Sequence, residues 1–279
     1  MAIVSAIAVY PVKSLQGITL SEAELTTRGI RFDRQWMITG QNGRFLSQRE
    51  YPQMAGIRVV LGEDTLELQK SGLSPLKIPL ERTFGKTEEV IIWKDTCRAY
   101  DEGEEASEWL SKALEVNSGK LTLCRFAEDY PRQVDPDYMG DDYAETFFSD
   151  GFPFLITTES SLDYLNKELM NNGAEPVPMS RFRANIVLSG TGPFAENRIT
   201  EIRSSDGKFG FRLRKPCKRC SVTTVDQQSG TIGNVKEPLR TLSKIDQPEG
   251  LNGAYFGQNA TLELGANKKI RVGDVVVLG

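Results

Sequence analysis

The chain contains no histidine. That absence excludes a Ser-His-Asp triad, a Cys-His nucleophile pair and any imidazole metal site, so demanding chemistry must come from thiolate, carboxylate, lysine or a bound cofactor. Cysteine is also scarce: 4 in 279 residues is too sparse for a disulfide scaffold. The start, Met1-Ala2-Ile3-Val4-Ser5-Ala6-Ile7, carries no basic leader and no cleavage-site pattern, so no signal peptide is expected. No run approaches the roughly 20 apolar residues of a membrane span. These absences together predict a cytoplasmic protein with free or ligated thiols. A surplus of basic charge is missing too, since 34 basic and 38 acidic residues give a net charge of −4, which argues against a general nucleic-acid binder.

What is present is mostly β-pattern. Alternating or β-rich runs occur at residues 3–10, 56–61, 90–93, 121–124 and 184–188, and the tail 269–278 reads as a closing hairpin around Gly273-Asp274. Two amphipathic stripes interrupt them. Ala106, Trp109, Leu110, Ala113 and Leu114 share one face of a helix over 104–115. Leu162, Leu165 and Leu169 do the same over 160–171, with Thr158 or Ser160 as N-cap and Asn172-Gly173 as the stop. The acidic, aromatic stretch 128–150 follows neither period and reads as a functional loop or a cover over the core. The length suits one large or two intimately packed domains, with a boundary near residue 120. The fold class is therefore mainly β with a few helices, α+β.

The chemistry concentrates in Lys215-Pro216-Cys217-Lys218-Arg219-Cys220, which runs into Ser221-Val222-Thr223-Thr224-Val225-Asp226. Cations flanking a thiol favour the thiolate, the form that attacks electrophiles and binds soft metals. One sulfur is thus a candidate metal ligand. A reversible disulfide, half of a zinc site and two structural thiols remain as alternatives. Zinc would need two more ligands, and Cys97 and Cys124 lie far off in sequence. A thioredoxin-like motif would need a strand-turn-helix context that the β-rich residues after Cys220 do not supply.

The Cys217–Cys220 segment with Thr223-Thr224-Val225-Asp226 and Gly230 resembles the signature of the MOSC domain, the C-terminal domain of molybdenum-cofactor sulfurases. Tyr10-Pro11-Val12-Lys13-Ser14, Gly17, Asp33-Arg34 and Trp36 are similar to the opening of the β-barrel domain that precedes MOSC in amidoxime-reducing components and their bacterial relatives. Further similar segments follow in collinear order: Ser149-Asp150 with Pro153-Phe154-Leu155, Phe182-Arg183 with Asn185-Ile186-Val187, and Lys236-Glu237-Pro238-Leu239. Phe256-Gly257-Gln258-Asn259 and Val272-Gly273-Asp274 complete the series, which spans nearly the whole chain.

The resemblance implies a MOSC N-terminal β-barrel domain over 1–120 and a MOSC β-barrel over 121–279, packed together. It implies molybdenum cofactor, with Cys220 as metal ligand and catalytic residue and Cys217 as a tuning or structural neighbour. Lys13, Ser14, Arg34 and Arg183 would hold the pterin and its phosphate, Lys218 and Arg219 would flank the metal ligand, and Asn259 would close the pocket. Gly151 and Phe152 stand where the mitochondrial relatives have small hydroxyl residues, so contacts there would come from backbone.

The implied activity is reduction of N-hydroxylated compounds such as hydroxylamines, amidoximes or hydroxylated bases by oxygen removal at molybdenum. Asp226 is a candidate for acid-base help. The electron donor would be an external reductase or an iron-sulfur domain absent from this chain. Two other readings stand beside it: a molybdenum-cofactor carrier without turnover, and a metal-free thiol redox protein using Cys217 and Cys220.

Overall fold

The computed structural model describes residues 1–82, 85–117, 119–245 and 250–279. The chain forms a closed barrel beside a half-barrel, so the mainly β, α+β expectation holds. The larger sheet contains β1 (Ala2–Val9), β2 (Ile18–Leu20), β12 (Phe154–Thr158), β13 (Ile186–Ser189), β14 (Glu201–Ser204), β15 (Gly210–Lys218), β16 (Tyr255–Leu264) and β18 (Val275–Leu278). Their order is β13-β12-β16-β15-β14-β18-β1-β2, and β1 also pairs with β13, which closes the ring and leaves β2 outside it. Closure removes the exposed sheet edges that would otherwise invite other chains. Ile7, Phe154, Ile156, Phe211 and Ala260 are among the residues packed inside.

The half-barrel is built on β5 (Trp36–Thr39), β9 (Glu88–Ile92), β10 (Asp95–Asp101) and β11 (Thr122–Phe126), in the order β5-β11-β10-β9. A meander of β6 (Arg58–Leu61), β7 (Thr65–Gln69) and β8 (Leu76–Pro79) packs with it, while β3 (Glu22–Thr26), β4 (Gly29–Ile30) and β17 (Lys269–Arg271) form a small third sheet. Strand β1 thus lies in the barrel, and the chain crosses to the half-barrel through residues 10–15. Both crossing segments bond each other, Lys13 N–H donating to Trp36 C=O at 2.8 Å and Trp36 N–H to Pro11 C=O at 3.0 Å.

The helices follow their stripes. Helix α1 (Glu104–Leu114) buries Ala106, Trp109, Leu110, Ala113 and Leu114 and places Glu104 and Glu105 in its first turn, where the helix dipole favours negative charge. Helix α2 (Glu159–Asn171) starts at Thr158, whose hydroxyl accepts from Ser161 N–H at 3.2 Å. It connects the parallel strands β12 and β13, the one parallel pair among the described strands. A short α3 (Leu239–Leu242) packs in the same cluster as Leu165, Leu169, Phe182 and Phe256. Among the described residues no helix is long and apolar enough to cross a membrane.

The tail is not a hairpin. A tight turn is present, with Asp274 N–H donating to Arg271 C=O, but β17 pairs with β3 and β18 pairs with β1 and β14. The turn's own groups bond Val4 on β1, Gly273 N–H donating to Val4 C=O at 2.8 Å and Val4 N–H to Asp274 C=O at 2.9 Å. The backbone groups that would have joined the two arms are already satisfied in separate sheets.

Candidate functional site

Four separate stretches of chain converge where barrel and half-barrel meet. The crossing segment brings Lys13 and Ser14, the return segment Arg34, the loop before β13 Arg183, and the end of β15 the Cys217–Cys220 turn. They line one cleft of about 850 Å³ measured out to its mouth. Lys218 and Arg219 lie on its wall, as does Asn259 from β16, so every cofactor- and metal-binding residue proposed from sequence lines the same cleft.

The cysteine turn is shaped by the strand that precedes it. Strand β15 slips register against β16 between Leu213 and Lys215 and again between Pro216 and Lys218. Such bulges re-aim side chains at the end of a ladder. Cys220 then sits at the N-cap of a 3₁₀ turn, Ser221–Thr224, its carbonyl accepting from Thr223 N–H at 3.1 Å and Thr223 hydroxyl at 2.9 Å. Both cysteines are free and half-buried. Their surroundings differ: Arg219 Nη1 donates to Cys217 Sγ at 2.9 Å, whereas Arg49 Nη2 donates to Cys220 Sγ at 3.2 Å.

A cationic cradle faces the thiols. The guanidinium carbons of Arg34 and Arg183 each lie 4.3 Å from the ring centroid of Tyr10, so the buried ring orients both. Arg34 is also held by an ion pair to the buried Asp33 and donates to Arg183 C=O at 3.1 Å. Burial pushes the pKa values of both Tyr10 and Asp33 up. Burial also brings Arg183 down to about 10, still well above neutral. Arg183 Nη1 donates to Leu15 C=O at 2.7 Å and Gln227 Oε1 at 3.0 Å, but its Nη2 is buried without a hydrogen-bond partner. An unpaired buried guanidinium donor is costly, and a charged donor of this kind is suited to pairing with an anion.

Lys13 adds a third cation, only 7% exposed, donating to Phe148 C=O at 2.9 Å and to Asp150 Oδ1 at 2.5 Å. Burial lowers its pKa, against the opposing pull of Asp150. The Asp150 side chain is largely exposed, and desolvation, which raises its pKa, is outweighed by the Lys13 ammonium that holds the carboxyl below the usual range.

The backbone is strained at two of these cations and beside the third. Ser14 has φ 69°, Arg34 φ 49° and Arg183 φ 54°, all in the left-handed region that costs a non-glycine residue about 1 kcal/mol or more. Gly17 owes its identity to space: a Cβ there would lie 2.3 Å from Tyr10 Cε1.

Sequence reasoning missed Arg49, Gln48 and Gln227. Arg49 joins the half-barrel to Cys220 across the whole chain, and its guanidinium stacks 4.5 Å from the Trp93 ring. Gln48 and Gln227 exchange hydrogen bonds at 2.8 and 3.1 Å, and Gln48 also donates to Ser14 C=O at 2.7 Å. Neither type has a local sequence signal. Asp226 corrects in the other direction: it is outside the cleft wall, accepting from Gln228 and Ser229 N–H and Ser229 hydroxyl, with Arg181 at 3.4 Å. It caps a turn and is held ionised by those donors, which leaves it no role as a proton donor there. Gly151 and Phe152 both line the cleft. A Cβ at Gly151 would meet nothing within 4 Å, and Phe152 packs with Val134 and Met139.

The cleft at the junction of the closed barrel and the half-barrel thus sets two half-buried thiols beside a buried cationic cradle. In comparison with known families, the MOSC N-terminal beta barrel domain matches residues 1–117 and the MOSC domain residues 144–277. The chain belongs to the MOSC family and carries both domains. It is 33% identical to mitochondrial amidoxime-reducing component 1 of Mus musculus over 97% of this chain and 80% of that protein. The Homo sapiens protein of the same name is 32% identical, with 97% and 81% covered. Molybdenum cofactor sulfurase of Bos taurus is 29% identical over 96% of this chain but only 31% of its own length.

Proposed function

We propose that this protein binds molybdenum cofactor in the cleft and reduces N-hydroxylated compounds there. The observation that carries the reading is the unpaired Arg183 Nη2 in a cleft that also holds the Cys220 thiol. The donor set fits the group: a soft thiolate suits molybdenum, and two oriented guanidiniums suit a phosphate. Cys220 would ligate the metal. Arg34, Arg183, Lys13 and Ser14 would hold the pterin and its phosphate, with Lys218, Arg219 and Asn259 along the remaining wall. When bound, the cofactor supplies two-electron oxygen-atom-transfer chemistry.

The chain's own residues then orient and tune. Tyr10 fixes the planes of Arg34 and Arg183, and the Gln48–Gln227 pair fixes Arg183 against Ser14. Arg49 hydrogen-bonds the ligand sulfur, the kind of outer contact that withdraws electron density from a metal site. Converting an N–OH group to N–H and water consumes two electrons and two protons. The protons come from water at the open mouth, since Asp150 is kept ionised by Lys13. The electrons come from a separate reductase or an iron-sulfur domain.

The test is metal and pterin content of gently purified protein from a host that makes the cofactor, comparing wild type, Cys220→Ser and Cys217→Ser. Near-stoichiometric molybdenum and pterin are expected in wild type and Cys217→Ser, with molybdenum lost from Cys220→Ser. Reduction of benzamidoxime with a chemical reductant completes it. Absence of molybdenum and pterin from wild type would overturn the reading. Bound cofactor without turnover would make the protein a carrier, and equal loss of activity in both cysteine variants would favour a disulfide mechanism.

A further inference from the structure

A second recess, about 1280 Å³ out to its mouth, adjoins the thiol cleft and shares Asp150, Gly151 and Phe152 with it. Its wall includes Trp93, at the tip between β9 and β10. Of the chain's three tryptophans, Trp36 and Trp109 are 1% and 9% exposed, whereas Trp93 is 38% exposed. Its backbone is left-handed, φ 55°, an outlier for a bulky residue. Several contacts sustain that strain. Trp93 Nε1 donates to Asp150 Oδ1 at 3.2 Å, the ring meets Phe45 edge-on at 4.9 Å, and Arg49 stacks at 4.5 Å.

Beside the tip, Asp95 is gripped by the buried Arg132, which also donates to Phe147 and Ser149 C=O. An exposed aromatic held this firmly in a costly conformation is preorganised for a ligand. Arg49 touches both the Trp93 ring and Cys220 Sγ, so a single guanidinium separates this wall from the thiol.

The charges in the recess are not balanced. Asp95 is paired with Arg132 and Asp150 with Lys13, and Asp135 accepts from Asp137 N–H. Among the described residues Arg44, Lys94 and Lys215 have no carboxylate partner, and the Lys215 ammonium lies over the rings of Tyr138 and Phe152, at 4.0 and 5.4 Å. Three uncompensated cations against one carboxylate, around an aromatic wall, select a planar ligand that carries negative charge.

Building on the proposed function, we propose that this recess is the substrate subsite and that it favours planar aromatic N-hydroxylated compounds bearing an anionic group, carboxylate or phosphate. Trp93 positions the ring, and Arg44 and Lys94 take the anion.

The test is tryptophan fluorescence of the full chain purified with its cofactor, titrated without reductant so that binding is read apart from turnover. The probes are benzamidoxime and 4-carboxybenzamidoxime, with N4-hydroxycytidine and its 5′-monophosphate in parallel to separate carboxylate from phosphate. At low ionic strength an anionic member of at least one pair should bind about fivefold tighter than its neutral partner, the yield of two exposed charge contacts, and salt should shrink the difference. In Arg44→Gln/Lys94→Gln the ratio should fall to near one, while Lys77→Gln should keep it. Trp93→Phe should abolish the quenching. Equal affinities within both pairs, a ratio that survives the double variant, or quenching that persists in Trp93→Phe would each overturn the subsite. Protein that binds these ligands as described but reduces none of them would instead overturn the proposed function.

Discussion

Replacing Gln227 with alanine tests whether the cleft is held by a buried amide pair. Gln48 is fully buried and Gln227 is 5% exposed. Gln227 accepts from Arg183 Nη1 at 3.0 Å and from Gln48 Nε2 at 3.1 Å, and donates to Gln48 Oε1 at 2.8 Å and Val225 C=O at 3.1 Å. The variant removes a bond to a charged donor, worth about 1.5–3 kcal/mol, and strands Gln48 Oε1, at about 1–3 kcal/mol more. Arg183 Nη1 keeps Leu15 C=O and Gln48 Nε2 keeps Ser14 C=O, which limits the damage. Water entering the vacated polar space recovers part of the rest, leaving a loss of about 3 kcal/mol. At roughly two to four degrees per kcal/mol, the melting temperature should fall by about 6–12 °C. Denaturant unfolding of Gln227→Ala, Gln48→Ala and the double variant is the assay. Because the two residues share their bonds, the double variant should cost little more than either single one. Single costs below about 1 kcal/mol, or strictly additive ones, would refute the reasoning.

Glu102→Ala should cost about 3–5 kcal/mol in denaturant unfolding, because the buried carboxylate serves Arg125 Nε at 2.6 Å, Arg82 Nη1 at 3.2 Å and Trp36 Nε1 at 2.7 Å. Glu102→Gln, which keeps an acceptor for Trp36, should cost less, and a loss under about 1 kcal/mol for the alanine would contradict the account. Gly17→Ala should cost about 1–3 kcal/mol and reduce cofactor retention, since Tyr10 is clamped between two guanidiniums and cannot yield to the new Cβ. Wild-type melting and wild-type metal content together would count against it. In native protein at pH 8, iodoacetamide should modify Cys217 and Cys220 but spare Cys97 and Cys124. Burial pushes those two thiols up to about 11 and about 12, so both stay protonated, and modification of either before unfolding would disprove the assignment.

The parts of the fold that a reader of the sequence can see are those whose cause is local. The stripes of α1 and α2 repeat every turn, and Thr158 caps where a hydroxyl before an apolar run is expected to cap. The tail misleads because its two arms take partners outside the local sequence. Asp226 misleads in the opposite way: the Asp226-Gln227-Gln228-Ser229-Gly230 run is itself a turn pattern, and the motif that contains it drew attention from that simpler role.

For the site, the motif segments were legible but the contacts that unite them were not. Arg49 and Cys220 are 171 residues apart, as Gln48 and Gln227 are 179, and neither arginine nor glutamine announces such a partner. The strain is hidden as well. Left-handed backbone is expected at glycine or asparagine, yet here it falls on Ser14, Arg34, Arg183 and Trp93. Each costs stability that only the assembled junction can offset, through Tyr10, Asp33, the amide pair and Asp150. The cradle and the Trp93 wall therefore depend on barrel and half-barrel docking as one unit. A change that loosens the junction should disturb both together, even where it touches neither thiol.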